Sequence, residues 1–264
     1  MPTIREAVAT GALWLCLAQA AFAQGWPADA RLSGRAFLTP NLARLQDDPA
    51  ASPIGLWLER GATSWTASTQ GPSCQSCHGE PGSLAKGVAQ FPRLAGDGRT
   101  LINLEDQIRA CRTRSGRAPA SGSEDDDVLA LSAHLQMAAR GQVIDLQPPA
   151  DAALRETWQA RLSSGAQAWT QRVGRINLAC VHCHDQNVGK TFRSEVTSPA
   201  HPTGFPVYRM RWQALGSIER RLRACYSGVQ ADLPKPGDPL LRDLELFLKV
   251  RANGLPVDGP SIRR

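Results

Sequence analysis

Cys74-Gln75-Ser76-Cys77-His78 and Cys180-Val181-His182-Cys183-His184 carry the same pentapeptide, Cys-x-x-Cys-His, at two widely separated places in the chain. Two thiols at that spacing can add to both vinyl groups of one haem, and the adjoining histidine then reaches the iron from the proximal side. The pair of motifs predicts two covalently bound haem c groups, attached through Cys74, Cys77, Cys180 and Cys183, with His78 and His184 as metal ligands. Taken singly, each motif also reads as a redox dithiol or half of a zinc site. Its occurrence twice, in a chain that reads as exported, favours haem.

A chain of 264 residues accommodates two small domains. One haem in each divides it into an N-terminal domain over 24–150 and a C-terminal domain over 151–264, with the boundary near Gln147-Pro148-Pro149-Ala150. Residues 1–23 read as a secretory signal: Arg5, an apolar run from Ala7 to Phe22, and a small-x-small end at Ala21-Phe22-Ala23. Cys16 lies in that run and leaves with it. No later segment has the apolar length to span a bilayer, so the mature protein is expected to be soluble and periplasmic. The net charge of +6 suits anionic small molecules or acidic partner proteins. Scattered basic residues, scarce tyrosine and the lack of a binding motif argue against nucleic acid.

Cysteine arithmetic sharpens this. Of seven cysteines, one falls in the leader and four are consumed by haem, which leaves Cys111 and Cys225. These two sit at matched places. Phe91-Pro92 precedes Cys111 by the same interval at which Phe205-Pro206 precedes Cys225, and Leu104, Glu105, Ile108, Arg109 and Ala110 align with Ile218, Glu219, Leu222, Arg223 and Ala224. The chain therefore reads as an internal duplication. Leu101, Leu104, Ile108 and Cys111, like Leu215, Ile218, Leu222 and Cys225, follow a 3, 4, 3 spacing that marks one face of a helix. Further helices are expected near Asp127–Ala139, Pro239–Val250 and Ala152–Gln171. The predicted fold class is all-α, two tandem cytochrome c-like domains related by duplication.

Each iron needs a ligand opposite its histidine. Methionine is the usual one, but Met137, in a helical stripe, and Met210, in an arginine-rich stretch, are not equivalent in the repeat. Cys111 and Cys225 are, which favours His78 with Cys111 and His184 with Cys225. Other readings remain: the cysteines as small core hydrophobes, a Cys111–Cys225 disulfide, methionine ligation with one site open, or His134, read as lying on a helix surface, or His201, read as lying in a loop. His182, between the attaching cysteines, cannot reach the same iron. Thiolate ligation lowers the haem potential and points to chemistry at sulfur.

Arg209, Arg211, Arg220, Arg221 and Arg223 precede Cys225, and Arg221 lies one helical turn upstream of it. A guanidinium there depresses the thiol pKa and offers a fork to an oxyanion. Arg220 and Arg223 are read as solvating a helix face. Gln107 stands where Arg221 would in the first half, so that half is expected to relay electrons or to be vestigial. Cys225 and Arg221 are the predicted catalytic pair.

At this point the residues resemble the SoxA subunits of the SoxAX cytochromes of bacterial thiosulfate oxidation. Pro202-Thr203-Gly204-Phe205-Pro206, Tyr208-Arg209, Arg211-Trp212-Gln213 and Arg223-Ala224-Cys225 carry the resemblance, with Phe91-Pro92-Arg93-Leu94 and Cys111-Arg112-Thr113 in the first half. The resemblance implies His/Cys-ligated haems, Cys225 carried as a persulfide, Arg221 beside it, SoxX as partner cytochrome subunit in a heterodimer and SoxYZ as sulfur carrier. It further implies an L-cysteine S-thiosulfotransferase that joins thiosulfate oxidatively to a carrier cysteine. A thiosulfate dehydrogenase forming tetrathionate and a pure electron-transfer dihaem cytochrome are the alternatives.

Overall fold

Glycine at one helix crossing in each half sets the architecture. The computed structural model describes residues 31–68, 71–117, 120, 122, 124–192 and 195–264; the expected leader with Cys16 lies outside them. Within 31–264, α1 (Pro40–Asp47) leads to α2 (Ile54–Thr66), which packs along α6 (Asp126–Ala138), and α7 (Ala152–Thr170) packs along α10 (Pro239–Arg251). These are the two most extensive helix contacts in the fold. A Cβ on Gly61 of α2 would fall 2.3 Å from the Ala130 carbonyl oxygen, and one on Gly165 of α7 would fall 2.1 Å from that of Asp243. Only glycine lets the backbones approach so closely.

The motif helices are α3 (Cys74–His78) and α8 (Cys180–His184). Downstream of α3 come α4 (Ala85–Ala89), a β1 (Arg93–Leu94) and β2 (Leu101–Ile102) hairpin, and α5 (Leu104–Arg114). Downstream of α8 come the hairpin of β3 (Thr191–Phe192) and β4 (Glu195–Val196), then β5 (Val207–Arg209), β6 (Ala214–Gly216), and α9 (Ile218–Gly228). Both Phe-Pro bonds, Phe91-Pro92 and Phe205-Pro206, are cis. The helices α5 and α9 each span 11 residues.

The expected stripe is broken at its first member, because Leu101 and Leu215 belong to strands. Asn103 and Ser217 cap the helices immediately afterwards: the Asn103 side chain accepts from Asp106 N at 2.9 Å and Ser217 Oγ from Arg220 N at 3.1 Å. An N-cap residue holds an extended backbone, so the helix cannot reach further back. The other expected helices are present with ends shifted by a residue, under the caps Asp125, Asp151 and Asp238.

The halves differ in their sheets. β5 pairs with β6 antiparallel and with the C-terminal strand β7 (Ser261–Arg263) parallel, in the order β6-β5-β7, whereas β1 and β2 form a pair alone. Three apolar clusters fill the interior. One joins Trp65, Phe91, Leu104, Ile108 and Leu131 to Trp158 and Leu246; another holds Trp169, Ile218, Leu222, Leu244 and Leu248; a third sets Ile54 and Leu129 against Tyr208, Leu215 and Ile262. Beneath them lies a buried ionic knot. Arg242 donates from Nε to Asp106 at 2.7 Å, and its Nη1 stands 2.9 Å from Glu219, while Asn103 donates to Glu245 at 3.2 Å. Removing the cation would strand buried carboxylates.

Candidate functional site

Cys225 ends the apolar stripe of α9 and faces a cavity of about 460 Å³ whose walls also carry Cys180, Cys183, His184, Arg209 and Arg221. The volume lies within the ordinary range for a bound cofactor. Its lining is mainly apolar, with Leu178, Phe205, Val207, Ile218, Leu222 and Leu248 around it. Ile176, Phe192 and Val196 present exposed apolar surface along the same walls. Exposed apolar side chains gathered on one concave surface suit a large flat apolar group, and two thiols with an imidazole are the donor set by which haem c is held.

His184 is aimed by its neighbours. Its Nδ1 hydrogen-bonds the Ser198 carbonyl at 2.7 Å, which leaves Nε2 as the nitrogen available to a ligand or metal. Trp169 lies beside the ring at 5.7 Å between centroids and donates from Nε1 to Asp185 at 2.9 Å. Asp185 also accepts from Arg251 at 2.6 Å, and that guanidinium stacks 4.4 Å over Trp169. By contrast, His182 is taken up by the helix start, where its Nδ1 accepts from Ala179 N at 3.0 Å.

Burial alone would push the Cys225 thiol up. The Arg221 guanidinium, a hydrogen bond with His184 and the charge of Arg209 pull it the other way and bring it down to about 7. Partial burial, with Cys225 beside it, pushes the Cys180 thiol up to about 12. The cavity thus holds one thiol fit to be a thiolate, Cys225, beside another held protonated, Cys180.

Of the other expected residues, Arg211 lines the cavity and is exposed. Arg220 and Arg223 do more than solvate a helix face: Arg220 stacks 4.3 Å over Trp212, and Arg223 donates to the Pro234 carbonyl at 2.9 Å. Met137 and Met210 are not among the residues that line the cavity, and Met210 is exposed. His201 does line it and is buried, its Nδ1 on the Leu32 carbonyl at 2.8 Å. His134 is half-buried against Trp65, at 6.1 Å between centroids, instead of lying free on a helix surface. Cys111 and Cys225 are both free thiols.

At the first motif Ser73 caps α3, Cys74 packs on the first core, and Cys77 and His78 are exposed. Cys111 accepts from Gln107 Nε2 at 3.4 Å and Arg114 Nη2 at 3.1 Å. Trp65 lies 6.1 Å from His78 and donates to the Gly79 carbonyl at 3.2 Å. The paired tryptophans escaped the sequence reading, although Gly61-x-x-x-Trp65 and Gly165-x-x-x-Trp169 were there to be found. Glu195, Ser198 and the Asp185–Arg251 pair carried no motif.

A helical fold with Cys-x-x-Cys-His on a short helix, a tryptophan beside its histidine and a further thiol next to that histidine on the wall of a mainly apolar cavity defines a c-type cytochrome with a sulfur-bearing site. Residues 60–144 match the family described as SoxA/TsdA, cytochrome c domain. The L-cysteine S-thiosulfotransferase subunit SoxA of Pseudaminobacter salicylatoxidans is 31% identical over 93% of this chain and 85% of its own length. That of Paracoccus pantotrophus is 28% identical over 89% and 80%. The crystal structure of SoxXA from P. pantotrophus superposes with a TM-score of 0.78 at 27% identity, covering 88% of this chain and 86% of that one. The chain belongs to the SoxA family and carries covalently bound haem c. Among the described residues no helix is long and apolar enough to cross a membrane.

Proposed function

We propose that this chain is the subunit of an L-cysteine S-thiosulfotransferase in which Cys225 is the sulfur-exchanging residue. It works with SoxX as partner cytochrome and joins thiosulfate to a cysteine of the carrier SoxYZ. The observation that carries this reading is the convergence of Cys225, Arg221 and His184 on one cavity wall system, with the thiol held at about 7.

Two haem c groups are held, one by Cys74, Cys77 and His78 with Cys111, the other by Cys180, Cys183 and His184 with Cys225. They belong to tandem halves, 24–150 and 151–264, that arose by duplication, and residues 1–23 direct export to the periplasm. Bound haem supplies the electron acceptor for an oxidative sulfur–sulfur bond formation. Cys225, carried as a persulfide, presents its terminal sulfur anion to the cavity. Arg221 binds the sulfonate end of thiosulfate and sets its outer sulfur against that anion. Formation of the bond between the two sulfurs releases two electrons and leaves Cys225 bearing a sulfur chain that ends in the sulfonate. The carrier thiolate, its proton given to solvent, attacks the sulfur next to the sulfonate. The carrier leaves as cysteine S-thiosulfonate, and the persulfide of Cys225 is restored. Arg221 stabilises the sulfonate charge throughout.

Product analysis with and without SoxYZ tests this. Consumption of thiosulfate that requires the carrier and labels its cysteine is the expected result. Tetrathionate formed without carrier indicates the dehydrogenase reaction, and electron transfer with no sulfur product indicates a carrier cytochrome.

A further inference from the structure

The two guanidiniums whose charge acts on Cys225 are held in different ways. Arg221, on α9, has no carboxylate partner among the described residues. Arg209 is buried on the central strand β5, where β6 and β7 fix its backbone on both sides. Its Nη2 donates to Glu195 Oε1 and its guanidinium stacks 5.4 Å over Trp212. Both guanidiniums and Glu195 line the cavity that Cys225 faces, and both guanidiniums draw the Cys225 thiol down.

A buried guanidinium needs an anion, and Glu195 is the one the fold supplies. Glu195 is the less fixed partner. It sits on the two-residue strand β4, paired only with β3, and a third of its side chain is exposed. Arg209 and Arg221 line one cavity and feel each other's charge, so a divalent oxyanion bound by both would contend with Glu195 for Arg209.

We propose that Arg209 is a second anchor for the anionic end of the substrate, and that Glu195 is a built-in competitor that occupies Arg209 between turnovers. The inference rests on the thiosulfate reading of the site and adds to it a residue that sets affinity from outside the Cys225–Arg221 pair. Glu195 is a positioning residue: it acts through Arg209 and holds that cation in the cavity when no substrate is present. Its competition keeps weaker, singly charged anions from settling there.

The test uses the haem-loaded protein assembled with SoxX and assayed with SoxYZ. Glu195→Gln keeps the size and the hydrogen bond and removes the charge, so KM for thiosulfate should fall about three- to tenfold with kcat within about twofold, the pattern of altered ground-state binding. Sulfate, as an inert anion, should inhibit this variant more strongly than the wild type. Arg209→Gln should raise KM about tenfold, with Arg209→Lys between it and the wild type. A merely structural ion pair predicts the opposite sign, a raised KM or lowered kcat with lost haem in Glu195→Gln. That result, or an unchanged KM, overturns the inference while leaving the functional reading intact. A wild-type complex that consumes no thiosulfate overturns both.

Discussion

The two motif helices are nearly the same object in different surroundings. Each offers two cysteines and a histidine on a five-residue helix, with a tryptophan from the preceding helix beside the histidine and a free thiol at the corresponding point of an 11-residue helix. At the first, the thiol is hydrogen-bonded by Gln107 and Arg114, and the histidine is exposed. At the second, a three-stranded sheet walls a cavity, Arg221 replaces the amide, and the thiol faces the histidine. Haem attachment needs only the pentapeptide. A guanidinium stands at both thiols, Arg114 at Cys111 and Arg221 near Cys225, so what sets the second site apart is its enclosure in the apolar cavity.

The cysteines break this contrast most sharply. Cys225→Ala should lower carrier conjugation by about a thousandfold or more, as loss of a covalent nucleophile does, with haem still attached. Cys111→Ala should keep turnover within about tenfold, the residual cost being a changed potential at the haem proposed for the first motif. Equal losses in the two variants would erase the distinction between the sites.

Exchanging the residues one turn upstream sharpens it. Arg221→Gln, which copies the first site, should cost about 10²- to 10³-fold in kcat/KM, the usual loss for one oxyanion-stabilising donor. Gln107→Arg should restore nothing to a Cys225→Ala background, because Cys111 is not among the residues that line the cavity of the second motif. Measured steady-state rates decide both.

Where the halves are alike, they should fail alike. Gly61→Ala and Gly165→Ala each drive a methyl into a carbonyl oxygen of the facing helix, and each should cost about 1–3 kcal/mol in thermal unfolding. A variant as stable as the wild type would show that its crossing can open.

The smallest effect is in pH. The cations that hold the unmodified Cys225 thiol down at about 7 act equally on the persulfide it carries, whose terminal anion is the reactive form, so kcat/KM should be level at high pH and fall as that sulfur protonates. Metal ligation can only move the midpoint lower. Arg221→Gln should move it upward, and an unmoved midpoint in the pH profile would remove Arg221 from the account.

How much of this could be read beforehand follows the length scale of each signal. Contiguous or periodic patterns were legible: the pentapeptides, the apolar spacing leading to Cys225, and Arg221 one turn before it. The capped starts at Asn103 and Ser217 were available too, yet the apolar period ran through them and drew Leu101 and Leu215 into helices that do not contain them. The tryptophans were missed because they precede the motifs at unequal intervals, Trp65 before Cys74 and Trp169 before Cys180, so an alignment anchored downstream never brings them together. The knot of Asp106, Glu219, Arg242 and Glu245 joins α5 to the distant α9 and α10, and no local pattern announces a charge that is buried only because its partners arrive from elsewhere. Glu195 is of the same kind: an ordinary carboxylate until the fold sets it on Arg209.

The most direct test is peptide-resolved mass spectrometry of the haem-loaded complex after a single oxidising turnover with isotopically labelled thiosulfate and no carrier. The account predicts label on the Cys225 peptide, discharged when SoxYZ is added, and none on the Cys111 peptide. Label on Cys111, or conjugation of the carrier with Cys225 never labelled, would contradict it.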